Sequence, residues 1–457
     1  MKITQRLAAF VASTPSGDIQ PPAREQARRA ILDTLGVMLA GSREDASRIV
    51  AEMTRDQGVS EEATVFGHGF RLPASEAALV NGTSAHALDF DDVSMSMRGH
   101  PSVTLLPAVL ALGEKLGVSG REAIDAFVLG FEVECKLGLL IGAPHYALGW
   151  HATSTFGTVG AAAACARLLR LDADRTRVAL GVAASLASGI RQNFGTMTKP
   201  LHAGWAARNG VIAATLAERG FTADAEALEG ESGFLRAASG GGRLNLHSLS
   251  RLGDPWEIVS PGIGVKLYPC CYATHRAIDA ALEIRRSESA PHYSNIGGVR
   301  VTVSRGTLMP LRTDLPSTGL EGKFSMEYCI AAALIDGRIG LSTFTDEAVQ
   351  RPEVKKLMKL IAVSEERRRA QFPIGGRAVV SIDTIGKIKH TRVVESPRGD
   401  PQNPLSWEDL CEKFRDCATP ILGPDAAGAT IDIVADFERL SDVRELIETL
   451  APGPVHA

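Results

Sequence analysis

Ser119-Gly-Arg-Glu122-Ala-Ile-Asp-Ala-Phe-Val-Leu-Gly-Phe-Glu-Val-Glu-Cys-Lys-Leu-Gly-Leu-Leu140 is the stretch whose reading decides the fold. A serine followed three residues later by a glutamate forms a capping box, in which each side chain satisfies a main-chain N–H at a helix start. The apolar residues behind it recur at helical spacing, so the stretch predicts a long helix over 119–140. The surroundings have the same texture. From about residue 20 to 262 apolar positions follow the helical period and β-branched runs are scarce. Asp172 or Asp174 can start a further helix through VALGVAASLASGI, and the run GTVGAAAACA lets helix backbones approach closely.

The texture changes after Pro261. GVRVTVSRG, GGRAVVSIDT and KHTRVVES alternate apolar and polar residues and are rich in valine, so they predict strands. Helical patterns lie between them at 273–286, 323–336 and 352–361. PRGDPQNP forms a loop, and the chain is helical again from Ser406 through Cys417. The expected fold is mostly α with a smaller α+β domain. Residues 1–262 form a large helical domain, completed by 398–457, and 263–397 form the α+β lid domain.

With 457 residues, 45% of them hydrophobic, the chain can bury a large core. A net charge of −4 and the absence of a basic run with interleaved aromatics argue against a nucleic-acid partner. The opening MKITQRLAAFVAS reads as an amphipathic helix and not as a signal peptide. No apolar run is long and clean enough to span a bilayer, so a cytoplasmic protein without a membrane partner is expected. Seven cysteines, an odd number, speak against a disulfide framework, and adjacent Cys270 and Cys271 lack zinc-site spacing. No Walker loop, nucleophile elbow, H-E-x-x-H or dinucleotide-binding glycine pattern is present, so neither a cofactor nor a metal is expected.

The chemistry gathers in a few segments. His86-Ala-Leu-Asp89-Phe-Asp91-Asp92 places three carboxylates within four residues near a helix end, where a solvated helix end is the plain alternative. Arg98-Gly-His100-Pro-Ser precedes a helix whose first turn suits Pro101. Gly149-Trp-His151 and Thr198-Lys199-Pro-Leu-His202 stand at two more predicted helix starts. Such ends present unpaired N–H groups and attract anions. One histidine of this kind is usually structural. Three cationic or switchable groups at three helix starts would together suit a ligand with several carboxylates. Lys266-Leu-Tyr-Pro-Cys-Cys271-Tyr-Ala-Thr-His275 combines a lysine, a thiol and an imidazole, or else is a hinge with buried cysteines. Glu321-Gly-Lys-Phe-Ser-Met-Glu-Tyr328 opens a helix and is a weaker signal.

The motifs HALDFDD, GHPS, GWHATST, GTMTKPLHAG, KLYPCCYATH and EGKFSMEY, in this order over about 5–420, resemble the MmgE/PrpD family. That family holds 2-methylcitrate dehydratases, cis-aconitate decarboxylases and iminodisuccinate epimerase. The resemblance implies a helical domain plus an α+β lid, usually as a homodimer, with the site in the cleft between them. It further implies Asp89, His100, His151, Lys199 and Lys266 as catalytic residues, with Tyr328 in the place of a tyrosine that some members use. Cys271 is expected to join the catalytic set, and His202 and Arg98 to join Tyr328 in binding a small polycarboxylate. Two positions depart from the decarboxylases: Val93 stands where they carry a threonine, and Cys271 where they carry a histidine. The wording MRGHPS, HY-x-x-GWH and NFGTMTKP is similar to the epimerase.

The chemistry thus expected is abstraction of a proton next to a carboxylate, with cations stabilising the enediolate. His151 or Cys271 would serve as base, and His100 and Asp89 would orient substrate or donate a proton. The expected outcome is a dehydratase-like lyase reaction. The alternatives are epimerisation of an iminodisuccinate-like aminodicarboxylate and non-catalytic polycarboxylate binding.

Overall fold

The computed structural model describes residues 2–56, 60–369 and 376–450. Two compact units divide the chain: Met1–Asn193, Met197–Gly264 and Ser406–Ala457 in the first, and Phe194–Thr196 with Val265–Leu405 in the second.

Unit 1 is helical. Its long elements are Pro21–Gly41, Ala74–Ala87, Ser102–Leu116, Gly120–Ile141, Ala152–Leu168, Thr198–Glu218 and Trp407–Leu422. The capping box is formed as its residues demand. The Glu122 N–H donates to Ser119 Oγ at 3.3 Å, and the Ser119 N–H donates to the Glu122 carboxylate at 3.0 Å. Asp172 caps the Ala173–Leu186 helix by accepting from the Arg175 N–H at 2.8 Å. Several central helices are buried around their whole circumference, from Ala77 to Ala87 and from Ser102 to Glu114. Small residues make that possible. A Cβ on Gly82 would stand 2.9 Å from Gly204 Cα, and one on Gly204 would stand 2.3 Å from the Leu79 carbonyl oxygen. The Ala74–Ala87 and Thr198–Glu218 helices therefore touch backbone to backbone, which brings His86 and Lys199 into one neighbourhood.

Two parts of the region read as helical are not. Ala63–Val65 and Phe70–Leu72 form an antiparallel hairpin, too short for the strand period to register. Residues 219–262 hold only a six-residue helix at Phe234–Ser239 and short turns of tighter or wider helix. Gly230, Gly233, Gly240, Gly241, Gly242 and Gly253 interrupt any longer helix there.

Unit 2 carries a four-stranded sheet in the order Ile361–Arg369, Ile296–Arg305, Ala378–Thr384, Lys389–Val394. The first pair is parallel and the other two are antiparallel. Gly375, at the head of the GGRAVVSIDT stretch, lies outside the described residues. The helix read at 352–361 stops at Met358, and Ile361 opens a strand that the sequence did not reveal. IAVSEERRR is half charged because it runs along one edge of the sheet, where only its first residues need burying. Ile278 and Ala281 of the Tyr272–Arg286 helix and Ile330 of the Met326–Asp336 helix pack with Val299, Val301 and Val380 in the core. Tyr328 belongs to that core as well: it is fully buried and its hydroxyl donates to the Thr343 carbonyl. All seven cysteines are free thiols and buried. Among the described residues, no helix is long and apolar enough to cross a membrane.

Candidate active site

The Ala74–Ala87 helix ends at the HALDFDD run, and Asp89 takes a left-handed conformation at φ 52°. Aspartate tolerates this better than most residues, and it turns the chain sharply so that successive carboxylates face different partners. The turn is pinned from the C-terminal part of the chain. Lys413 Nζ donates to the Phe90 carbonyl at 2.8 Å, pairs with Asp33 at 2.6 Å and lies 3.9 Å from the Phe90 ring centroid. Nothing in the sequence signalled this role for Lys413. The loop then closes through Ser94 N–H to the Gly99 carbonyl at 2.9 Å. His100 N–H donates to Thr153 Oγ1 at 3.1 Å. A Cβ on Gly99 would come within 2.8 Å of the Thr153 nitrogen, so the GHPS and GWHATST motifs fit together only with glycine there.

Around this turn unit 1 gathers several of the expected residues. Lys199, second residue of its helix, places Nζ 2.5 Å from Asp89 Oδ1. His100 Nε2 lies 4.0 Å from the same oxygen. His100 Nδ1 lies 2.9 Å from Asp91 Oδ2 and equally close to the Asp92 carbonyl oxygen. His86 Nδ1 lies 3.0 Å from both Asp91 oxygens. The ring centroids of His86 and His100 are 4.6 Å apart, and those of His86 and His151 are 5.9 Å apart and nearly parallel. His151 caps the Ala152–Leu168 helix, and its Nδ1 meets His202 Nδ1 at 3.0 Å. Four imidazoles thus run in a chain, His100–His86–His151–His202, alongside the Lys199–Asp89 ion pair. Arg98 has a left-handed backbone at φ 62°, and burial lowers its guanidinium to about 10.

Burial sets the protonation states. It pulls the His86 imidazole down to about 3, against the opposing pull of Asp91. Burial, followed by the positive charge of its neighbours, holds His151 well below the ordinary histidine range. Burial alone would raise the Asp91 carboxyl, but His86 and His100 outweigh it and hold it well below the usual carboxylate range. Asp92 goes the other way. Burial, reinforced by Asp33 and Asp91, pushes it well above that range, and it pairs with the Ser102 hydroxyl. Burial and Asp92 do the same to Glu134.

A buried acid of this kind lowers stability as pH rises, because the unfolded chain releases the proton before the folded one does. Glu134→Gln should therefore gain stability relative to the parent as pH increases from 4.5, the ordinary glutamate value, towards neutrality. Urea midpoints at several pH values check this, and a constant offset refutes it.

His86, Asp89, Asp91 and His100 each offer a ligand atom, all within 4.8 Å of one another, a donor set able to hold a divalent cation. The Lys199 ammonium already supplies positive charge to one of the four. In the sequence alone His86 has no evident role, and Asp91 is not separable from its acidic neighbours. The only signal for either was their place in the HALDFDD run.

Unit 2 holds the remaining residues. Lys266 is fully buried, and Cys271 caps the Tyr272–Arg286 helix with its N–H on the Lys323 carbonyl at 2.9 Å. Lys323 Nζ donates to the Pro269 carbonyl at 3.2 Å, which ties the KLYPCC segment to the EGKF segment.

A family model described as the MmgE/PrpD N-terminal domain matches residues 5–247, and one described as the MmgE/PrpD C-terminal domain matches residues 268–439. Among curated proteins, the chain is 30% identical to a cis-aconitate decarboxylase of Mus musculus over 461 residues, covering 99% of this chain and 94% of that protein. The Homo sapiens protein of the same name is also 30% identical, over 99% of this chain and 95% of its own length. That of Aspergillus terreus is 29% identical, over 98% and 96%.

Proposed function

Because the chain belongs to the MmgE/PrpD family, we propose that it is a cofactor-independent lyase that removes a proton next to a carboxylate of a small polycarboxylate. The observation that carries this reading is the grouping of Asp89, His100, His151 and Lys199 in one buried cluster of unit 1, with a neutral imidazole beside a fixed ammonium. A Cα–H bond next to a carboxylate breaks when a base stands at the proton and positive charge meets the developing enediolate. His151 supplies the base. Lys199 supplies the charge, and Lys266, carried over from the family motif, adds to it. His100 returns a proton to the group that leaves the neighbouring carbon. In that sequence the C–H electron pair forms the new double bond, and a hydroxyl departs as water.

A second reading is epimerisation of an aminodicarboxylate. It is favoured by Val93, which is buried, lacks a hydroxyl and pairs its backbone with Gly264, and by a thiol at Cys271 that can act as the second acid–base group. Incubating the enzyme with a panel of di- and tricarboxylates in deuterium oxide separates the two. An unsaturated product with rising ultraviolet absorbance supports the lyase. Deuterium uptake with inverted configuration and no new double bond supports the epimerase. Silence across the panel, with binding retained, leaves a polycarboxylate-binding protein and removes both.

A further inference from the structure

His202 is the second functional side chain on the Thr198–Glu218 helix, and it faces His151 with unusual directness. The two Nδ1 atoms are 3.0 Å apart, with ring centroids at 5.3 Å and planes inclined at 55°. Both residues are buried, at 2% and 8% exposure. Two ring nitrogens at that distance form a hydrogen bond only if one carries a proton and the other a lone pair. A neutral imidazole has one ring proton, on Nδ1 or on Nε2. The bond therefore couples the two tautomers. If His151 donates from Nδ1, its Nε2 is a lone pair and His202 holds its own proton on Nε2. If His202 donates, His151 holds its proton on Nε2.

The groups around His151 favour neutral rings. Burial acts first, and His202, His86, Lys199 and His100 all face it with positive or potentially positive charge. Burial and Lys199 bring His202 down to about 4. The His202 ring also has little room to swing away. Gly189 has φ 107°, and a Cβ there would stand 3.3 Å from His202 Cγ. The Ser154 hydroxyl donates to the His202 carbonyl at 3.2 Å, and the His151 N–H donates to the Gly189 carbonyl at 3.0 Å.

We infer that His202 is a positioning residue, which through the Nδ1–Nδ1 bond decides which nitrogen of His151 carries the proton and so whether His151 presents an acceptor or a donor to substrate. The inference rests on the reading of His151 as the proton-moving group. With His151 as base, the substrate proton passes to its Nε2 and the C–H electron pair stays on the substrate as the enediolate. The imidazolium so formed keeps donating Nδ1–H to the neutral His202 ring. No further reactant is required. A group that fixes the tautomer of a base contributes to kcat more than to binding.

The full chain with 15N-labelled histidine tests this without a substrate. Long-range 15N–1H correlations should show His151 as the Nδ1–H tautomer and His202 as the Nε2–H tautomer. Finding both Nδ1 atoms unprotonated in the parent protein would overturn the inference, whatever any variant does. In His202→Phe the His151 signals should move to the other tautomer or to a mixture. In His202→Asn, whose amide reaches the Nδ1 position, they should return towards the parent. Unchanged His151 shifts in His202→Phe also overturn it. Once an acid is turned over, His202→Phe should lower kcat about tenfold or more with KM within about threefold, and His202→Asn should recover most of the loss. If no acid is turned over, the functional reading fails and the tautomer result still stands or falls by itself.

Discussion

Lys199→Met is expected to lower kcat/KM by about a hundred- to a thousandfold, the scale seen when one fixed donor to a developing oxyanion is removed. The ammonium sits 2.5 Å from Asp89, and both side chains are about 95% buried. It is therefore held without solvent reorganisation at the place where an enediolate would gather charge. Methionine keeps the length and apolar stem of the side chain and removes only the charge. The same change leaves the buried Asp89 carboxylate without this partner, and breaking a buried pair costs about 3–5 kcal/mol of stability. Loss of activity and loss of fold must therefore be separated. Asp89→Asn in the Lys199→Met background should restore most of the stability, because no uncompensated charge remains. It should not restore the rate, because the positive charge is still missing. Chemical denaturation and steady-state kinetics on the four proteins of that cycle give both readouts. A double variant that recovered kcat/KM would make the ion pair a structural device and remove Lys199 from the chemistry.

The residues of that cycle also mark what was readable in the sequence. Helix starts are written locally, in Ser119 with Glu122, in Asp172 and in Pro101. His100, His151 and Lys199 are placed at helix starts in the same legible way, directly ahead of Pro101, Ala152 and Pro200. The strands Ile296–Arg305 and Ala378–Thr384 are rich in β-branched residues, which suit a partly buried pleated surface, and they too were legible. What was hidden depends on long-range packing. His86 lies in the last turn of an apolar helix and resembles any buried histidine until the Gly82–Gly204 contact brings the Thr198–Glu218 helix against it. Asp89, Asp91 and Asp92 are equivalent as letters. Only the left-handed turn at Asp89 sends one carboxylate to Lys199, one to two imidazoles and one to Ser102. Lys413 lies more than 300 positions from the turn it holds, beyond the reach of any local pattern. The edge strand Ile361–Arg369 was hidden for the opposite reason. It has one sheet partner and carries charge in place of a periodic apolar face.

The three carboxylates also supply the second large effect. Asp91→Asn should lower kcat by about a hundredfold or more, while Asp92→Asn should stay within about tenfold of the parent. Asp91 accepts from His86 Nδ1 at 3.0 Å and from His100 Nδ1 at 2.9 Å, so it holds the Nδ1–H of both rings towards itself. Asparagine offers one acceptor oxygen and replaces the other with a donor. One imidazole must then change tautomer or lose its bond, and His100, whose Nε2 lies 4.0 Å from Asp89, loses the carboxylate that favours the doubly protonated ring from which it would donate. Burial and its acidic neighbours push the Asp92 carboxyl well above the usual carboxylate range, towards the uncharged form, so an amide of the same shape changes little. Stability should report the same asymmetry. The Asp91 carboxyl is depressed in the folded state, so its contribution is complete above the unfolded value near 3.8 and fades as pH falls through the lower folded value. The stability gap between parent and Asp91→Asn should thus be widest near neutral pH and narrow below about 4. For Asp92→Asn the sign reverses, because a raised carboxyl weakens the parent as pH climbs, and that variant should gain on the parent towards alkaline pH. Matching pH–stability curves for the two variants would show that the turn at Asp89 does not assign these neighbouring acids to different work.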